Sequence, residues 1–269
     1  AKFMLDEHFR SEQEIIKFSS DQFYKSKLSL MTQKPRFKDD FDSEYFNMPI
    51  NVHYVEGKRK GKTGPNEKEA IKAIEVAREI ISRNPEWSVG ILTPFRSQAD
   101  YGSSLLGNYF SNNEIVKNKL LFDTAHQLQG DERDAIIISF TLDGDYLTNQ
   151  LNWMQDETGV FNVSITRARK ELHIVSTLQP TNLPKGLLKE FLEYAEDNLI
   201  PAPSSNEYDS KFEEEVAIRL VDENIKVLTQ FEAAGYFIDL VASKYGQVIG
   251  IECDGPSHFD ADGVRTERD

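Results

Sequence analysis

Gly90-Ile91-Leu92-Thr93-Pro94-Phe95-Arg96-Ser97-Gln98 is the stretch whose reading decides the fold. Val89 to Leu92 is a short run without a polar side chain, as expected of a strand buried on both faces. A Thr-Pro-aromatic turn follows, and Ser97 to Leu106 reads as a helix. The same strand-then-helix rhythm extends in both directions. Upstream, Ile50 to Val55 alternates apolar and polar residues as a strand does. Asn66 then starts a helix with Ala70, Ile71, Ile74, Val76, Ala77, Ile80 and Ile81 on about one face. Downstream, Leu120 to Thr124 and Ala135 to Phe140 read as strands. Asn162 to Lys170 reads as a helix, Leu172 to Ser176 as a strand and Pro184 to Asp197 as a closing helix. Nearer the start, Ser11-Glu12-Gln13-Glu14 reads as a capping box opening a helix through about Tyr24. Strands alternating with helices at this spacing indicate an α/β fold with a mostly parallel sheet and flanking helices.

Pro201-Ala202-Pro203-Ser204-Ser205-Asn206 breaks this pattern. The expected organisation is a first domain over 1–199, a linker over 200–208 and a smaller α/β domain over 209–269. In the latter, a helix over Lys211 to Glu223 precedes strands near Lys226–Gln230, Tyr236–Ser243 and Val248–Asp254. A total of 269 residues suits two modest domains, and 39% hydrophobic content is enough for ordinary cores. No apolar run approaches the ~20 residues of a membrane span, and Ala1-Lys2-Phe3-Met4 does not begin a signal peptide. Cys253 is the single cysteine, which excludes an internal disulfide and suits a reducing cytoplasm. The net charge is −14; residues 201–269 hold fifteen acids and six bases, net −9, which leaves −5 for the rest. An acidic balance is unusual for a nucleic-acid protein, but binding depends on local cationic patches.

Gly57-Lys58-Arg59-Lys60-Gly61-Lys62-Thr63 imitates a phosphate-binding P-loop. It has three residues between its glycines where the P-loop needs four, and Gly64-Pro65 follows where a helix should start. A mobile basic loop that touches nucleic-acid backbone is the expectation.

Two stretches forty residues apart bear on activity: Thr124-Ala125-His126-Gln127-Leu128-Gln129-Gly130-Asp131-Glu132 and Asn162-Val163-Ser164-Ile165-Thr166-Arg167-Ala168-Arg169-Lys170. They resemble motifs V and VI of superfamily 1 helicases, in the branch that contains the nonsense-mediated decay helicase. Leu5-Asp6-Glu7-His8-Phe9-Arg10-Ser11 resembles motif IV, and Gly90 to Gln98 resembles the family's Thr-Pro-aromatic turn. The resemblance covers roughly residues 1–180 and implies the second RecA-like domain of such a helicase. It implies that Arg10, Gly130, Glu132 and Arg167 face nucleotide, with Arg10 and Arg167 catalytic on the γ-phosphate. It places Thr93, Pro94, Arg96, Thr124 and His126 against nucleic acid. Arg169, two residues from Arg167 on the expected helix, would brace the domain. In this family ATP lies between two lobes. No P-loop or acidic Walker B strand precedes Arg10, so the first RecA-like domain is expected in a longer protein, and this chain alone is expected to lack ATPase activity.

The second resemblance rests on Phe237-Ile238-Asp239-Leu240-Val241 and Ile251-Glu252-Cys253-Asp254-Gly255. Acids within apolar strands call for a partner or a metal, and Glu252 and Asp254, two apart on a strand, share a face while Cys253 points to the core. With Ser210-Lys211-Phe212-Glu213 and Gln230, the pattern resembles the PD-(D/E)XK nuclease superfamily, in the branch related to very-short-patch-repair endonucleases. The resemblance implies catalytic Glu213, Asp239, Glu252 and Asp254, of which Asp239, Glu252 and Asp254 would hold Mg²⁺ or Mn²⁺. His258 and Arg265 sit where relatives carry polar helpers. Asp254 stands where the archetype has its lysine, and the chain stops before the last helix and strand of such a domain. Together the two resemblances imply the C-terminal part of an ATP-dependent DNA helicase carrying a metal-dependent endonuclease, cytoplasmic and without a membrane partner, with RNA as another substrate. The alternatives are a module that grips nucleic acid without cutting it, or an interaction scaffold in a repair or defence complex.

Overall fold

The computed structural model describes residues 7–8, 10–25, 28–32, 48–128, 131–146, 151, 158–197, 208–233, 236–244 and 247–253. The chain forms two compact units, Ala1–Leu28 with Asn47–Ile200, and Ser29–Phe46 with Pro201–Asp269.

The short strand β1 (Glu7–His8) lies in the first unit and β2 (Ser29–Leu30) in the second, and the first unit is built on a five-stranded sheet. Its strands are β3 (Ile50–Tyr54), β4 (Val89–Thr93), β5 (Leu121–Thr124), β6 (Arg133–Ser139) and β7 (Ala168–Ser176), in the order β3-β7-β6-β4-β5. Every pairing is parallel. This is the parallel α/β arrangement the alternating elements suggested. Strand β6 shows why its residues suit a central position. Ile136 and Ile138 enter one core and Ala135 and Ile137 the other, because successive side chains leave opposite faces. A strand that is apolar on both faces has no place except between two helical layers.

One layer contains α1 (Gln13–Tyr24), α5 (Thr158–Thr166) and α6 (Leu187–Asp197). Phe18, Phe161 and Phe191 pack there, with Phe191 centred 5.1 Å from Phe18 and 5.2 Å from Phe161. The other layer is α2 (Glu67–Arg83) and α3 (Arg96–Tyr109), followed by a short α4 (Asn112–Lys117). Asn66 caps α2, accepting from Glu69 N, as its position before the apolar stripe suggested. Among the described residues no helix is long and apolar enough to cross a membrane.

Three local expectations are corrected. Glu12, with no side-chain capping bond, is the N-cap of α1, so Ser11 does not form the expected box. The backbone N of Ser11 instead donates to His8 Nε2. The helix expected over 162–170 ends at Thr166. The chain turns at Arg167 and enters β7 at Ala168, because β6 captures it: Arg133 N donates to Arg167 O and Arg133 pairs with Ala168. The loop after Gly57, expected to be mobile, is pinned by Arg59, which is 8% exposed.

The second unit contains α7 (Lys211–Asp222) and an antiparallel sheet of β8 (Lys226–Ala233), β9 (Tyr236–Lys244) and β10 (Gln247–Ile251), in the order β10-β9-β8. Strand β10 stops at Ile251, so Glu252 lies just past the strand expected to reach residue 254.

Candidate nucleotide and nucleic-acid interfaces

The parallel sheet has two ends, and the residues singled out in the first unit divide between them. At the N-terminal ends of the strands, Arg133 opens β6 beside Ala168 of β7. Their preceding residues are Glu132 and Arg167. The start of α1 is tied to the same end, because Glu12 N donates to Arg169 O. That bond brings Arg10 in, and its guanidinium donates to the Glu132 carboxylate. Arg10, Glu132 and Arg167, distant in sequence, therefore converge at one edge. Gly130 lies outside the described residues.

Arg167 is partly buried, and its Nε is buried without a hydrogen-bond partner among the described residues. Its neighbour Arg169 behaves differently. Arg169 Nη2 donates to Asp134 Oδ1 at 2.7 Å, and Lys170 Nζ lies 3.2 Å from the same oxygen. Ser88 N and Oγ donate to Asp134 Oδ2. Arg169 braces β6 and β7 as expected, but the two arginines diverge because a turn separates them from each other's element, and not because they share a helix. A residue the sequence reading missed, Arg133, supports this edge. It is 5% exposed, with Nη1 2.6 Å from Asp131 Oδ2 and Nε donating to Lys119 O. A buried arginine opening an apolar strand was the available signal.

At the opposite end, Thr93 and Thr124 are register partners on β4 and β5. Ligands of open α/β sheets gather beyond these C-terminal strand ends. His126, on a short 3₁₀ turn, and Arg96, at the start of α3, are both exposed. Arg96 pairs with Asp100 at 2.7 Å and Asp123 at 3.1 Å. Pro94 is half-buried. Thr93 corrects its expected role: it is 2% exposed, and its hydroxyl lies 3.2 Å from that of Thr141 and accepts from Phe95 N. It shapes the turn from beneath instead of presenting a hydroxyl to a strand of nucleic acid.

Thr93 sits on a buried polar network. Glu69 is 0% exposed. Its Oε2 accepts from Ser139 Oγ and Thr141 N, and its Oε1 from Thr177 N at 3.1 Å. Gln98 Nε2 donates to both Asn66 O and Ser139 Oγ at 3.0 Å. Burial pushes the Glu69 carboxyl up to about 7, against the opposing pull of these donors. Thr141 has φ 56°, a left-handed backbone that is strained for a β-branched residue and persists only where its surroundings impose it. Glu69 supplies that constraint. Nothing in the periodicity of α2 distinguished Glu69 from the surface acids around it.

In the second unit, Glu213 is 4% exposed and accepts from Asp209 N, Ser210 Oγ and Gln230 Nε2. Gln230 has φ 47° and is skipped by the ladder between Thr229↔Leu240 and Phe231↔Ile238, which leaves it opposite Asp239. Ile251 pairs with Leu240, so one further step sets Glu252 beside Asp239. Gln230, Asp239 and Glu252 thus lie in a row across the sheet. Asp239 Oδ2 accepts from Cys253 N at 2.6 Å, and Cys253 is half-buried. Asp254, His258 and Arg265 lie outside the described residues, among which no three His, Cys, Asp or Glu cluster as metal ligands.

Residues 1–179 match the model of the AAA domain family. The chain belongs to that family. It is similar to Helicase SEN1 of Saccharomyces cerevisiae, with 23% identity over 206 residues, covering 72% of this chain. The chain spans 9% of the length of that relative. A solved structure, the C-terminal domain of a possible DNA helicase from Lactobacillus plantarum WCFS1, aligns at 15% identity and TM-score 0.39 over 62% of this chain and 86% of its own.

Proposed function

We propose that the first unit is the second RecA-like lobe of an ATP-dependent nucleic-acid helicase, and that its N-terminal edge faces the γ-phosphate of ATP held against a first lobe of the intact protein. The observation that carries this reading is Arg167, whose buried Nε has no partner among the described residues, beside the Arg10–Glu132 pair. An unsatisfied buried donor costs ~1–3 kcal/mol, a cost that a phosphate oxygen would remove. In phosphoryl transfer the charge spreads over the γ-phosphate oxygens, and a guanidinium placed there stabilises it. Arg10, held by Glu132, is positioned to do the same when that exposed pair opens. Mg²⁺, when bound, neutralises charge on the phosphates. The opposite edge, with Pro94, Arg96, Thr124 and His126, is the reading for the nucleic-acid contacts that complete the motor. DNA is the substrate favoured by the fused second unit. Nucleic-acid-stimulated phosphate release by the intact protein tests this; no turnover with any DNA or RNA strand would reject it.

For the second unit the reading is a metal-dependent nuclease module, supported by the row of Gln230, Asp239 and Glu252 and by Glu213 behind it. Carboxylate oxygens suit a hard divalent cation. Asp239, Glu252 and Asp254 would hold Mg²⁺ or Mn²⁺, which supplies an activated water and polarises a phosphodiester. Calorimetry should detect divalent binding that Asp239→Asn weakens, and the same change should abolish nicking of DNA by the intact protein. Cys253→Ser should leave nicking in place, because the backbone N of Cys253 is the group that donates to Asp239. If no metal binds and no strand is cut, the gripping module is the better reading. Asp254 in place of a lysine favours that second reading.

A further inference from the structure

The loop Gly57–Gly64 carries Lys58, Arg59, Lys60 and Lys62 within five residues of a chain whose net charge is −14. Arg59 fixes it. The Arg59 backbone N donates to Asp143 Oδ2 at 2.8 Å, and Nε donates to Gly64 O at 2.9 Å. The guanidinium lies 4.6 Å from the centre of the Phe95 ring, a cation–π stack that strengthens away from water. The loop closes on itself through Lys60 N to Pro65 O at 2.9 Å. A side chain at Gly64 would collide with the Lys60 carbonyl, so the closure requires that glycine. Phe95 belongs to the turn after Pro94, and Asp143 follows the strained Thr141 that Glu69 holds. The basic loop and the turn at the C-terminal edge are therefore one fixed assembly.

The lysines face outward. Lys58 is 76% exposed and Lys60 65% exposed, and Lys62 is also exposed. Lys58 pairs with Asp145 at 3.1 Å and Lys60 with Glu67 at 2.5 Å. Exposed pairs of this kind contribute ~0–1 kcal/mol, so a polyanion can displace the acids at little cost. A rigid display of cations, two of them opposite weakly held acids, suits a chain of phosphates better than a single nucleotide, which would need a cradle of backbone N–H groups. We infer that the latched loop clamps the phosphate backbone of a single-stranded nucleic acid through Lys58, Lys60 and Lys62, with Arg59 as the positioning residue. This rests on the reading of the C-terminal edge as the nucleic-acid path.

The test is fluorescence anisotropy of the full chain with labelled oligo-dT and oligo-U of about 20 nucleotides, over a salt series. The triple change Lys58→Ala, Lys60→Ala, Lys62→Ala should weaken binding about tenfold or more at low salt. It should reduce the slope of log K against log salt by about 2, at ~0.7 per lost phosphate contact on a single strand. Asp145→Asn should tighten binding by freeing Lys58. Arg59→Ala should weaken binding several-fold with the slope retained, since the lysines still reach phosphate but from an unfixed loop. Lys117→Ala is the control: Lys117 is an exposed cation paired with Glu86 and precedes β5, at the other end of the sheet. Wild-type binding that the triple change leaves intact in both affinity and slope overturns the clamp alone. Failure of the wild type to bind either oligonucleotide overturns the clamp and the reading of the edge together. The relative losses on oligo-dT and oligo-U identify which nucleic acid the clamp grips.

Discussion

At the scale of single residues, two arginines with one residue between them do different work. Arg167→Ala in the intact protein should lower kcat for ATP by ~10³ or more with little change in nucleotide affinity, because the guanidinium acts on transition-state charge. Arg169→Ala should leave kcat alone and lower stability by no more than ~1 kcal/mol, since Arg169 is 45% exposed and Lys170 still serves Asp134. The reverse result would move the catalytic role to Arg169. Glu69 yields a pH prediction. Its folded pKa, about 7, lies above its unfolded value of 4.5, so the folded state holds a proton that the unfolded state has lost between those values. The stability this contributes is complete below pH 4.5 and lost as pH rises through 7. His53 works the other way: burial, His173 and Lys72 push it down to about 4, so its contribution is complete above pH 6.5 and lost as pH falls through 4. Glu69→Gln should abolish the loss of melting temperature expected of wild type between pH 5 and 8, and should cost ~1–3 kcal/mol by aiming an amide donor at a backbone N–H. An unchanged pH profile in this variant would refute the assignment.

At the scale of elements, close approach decides more than propensity. Gly102 stands in α3, where a side chain would collide with the ring of Phe122 on β5, itself 2% exposed. Glycine in a helix costs ~1 kcal/mol relative to alanine, and here that cost permits helix and strand to touch. Gly102→Ala should therefore destabilise by ~1–3 kcal/mol despite its better helix propensity, as denaturant unfolding can measure. A stabilised variant would show that α3 shifts freely. The end of α5 teaches a related lesson. Nothing local stops a helix at Thr166, but pairing to β6 pulls Ala168 onward into β7. The chain from Thr166 to Lys170 could satisfy its backbone groups in either form, and the neighbouring strand determined which.

At the scale of the whole molecule, the residues proposed for nucleotide chemistry and those proposed for nucleic-acid contact lie at opposite ends of one parallel sheet. Gly57–Gly64 is a latched loop and not a P-loop, with α2 starting only at Glu67. Purified chain with ATP, Mg²⁺ and single-stranded DNA should release no phosphate above a blank. Turnover that vanished in Lys62→Ala would revive the loop as a nucleotide site. The AAA-family match over residues 1–179 covers most of the first unit and leaves residues 201–269 to be argued from their own row of side chains.

The sequence by itself determined the parallel α/β layer, because apolar periods of 2 and 3.6 report burial directly, as Ile136-Ile137-Ile138 and the stripe of α2 do. It also supplied the candidate residues, since Arg10, Glu132, Arg167 and Asp239 belong to recognisable short patterns. Only the tertiary structure decided which of them meet and what state they are in. Arg10 reaches Glu132, 122 positions away in sequence, Thr93 turns inward to Thr141, Arg59 becomes a buried latch, and Glu69 differs from every other acid of α2. The physical reason is the range of the forces involved. Hydrophobic periodicity is written into neighbouring residues, whereas desolvation and hydrogen-bond pairing depend on what the rest of the chain brings alongside.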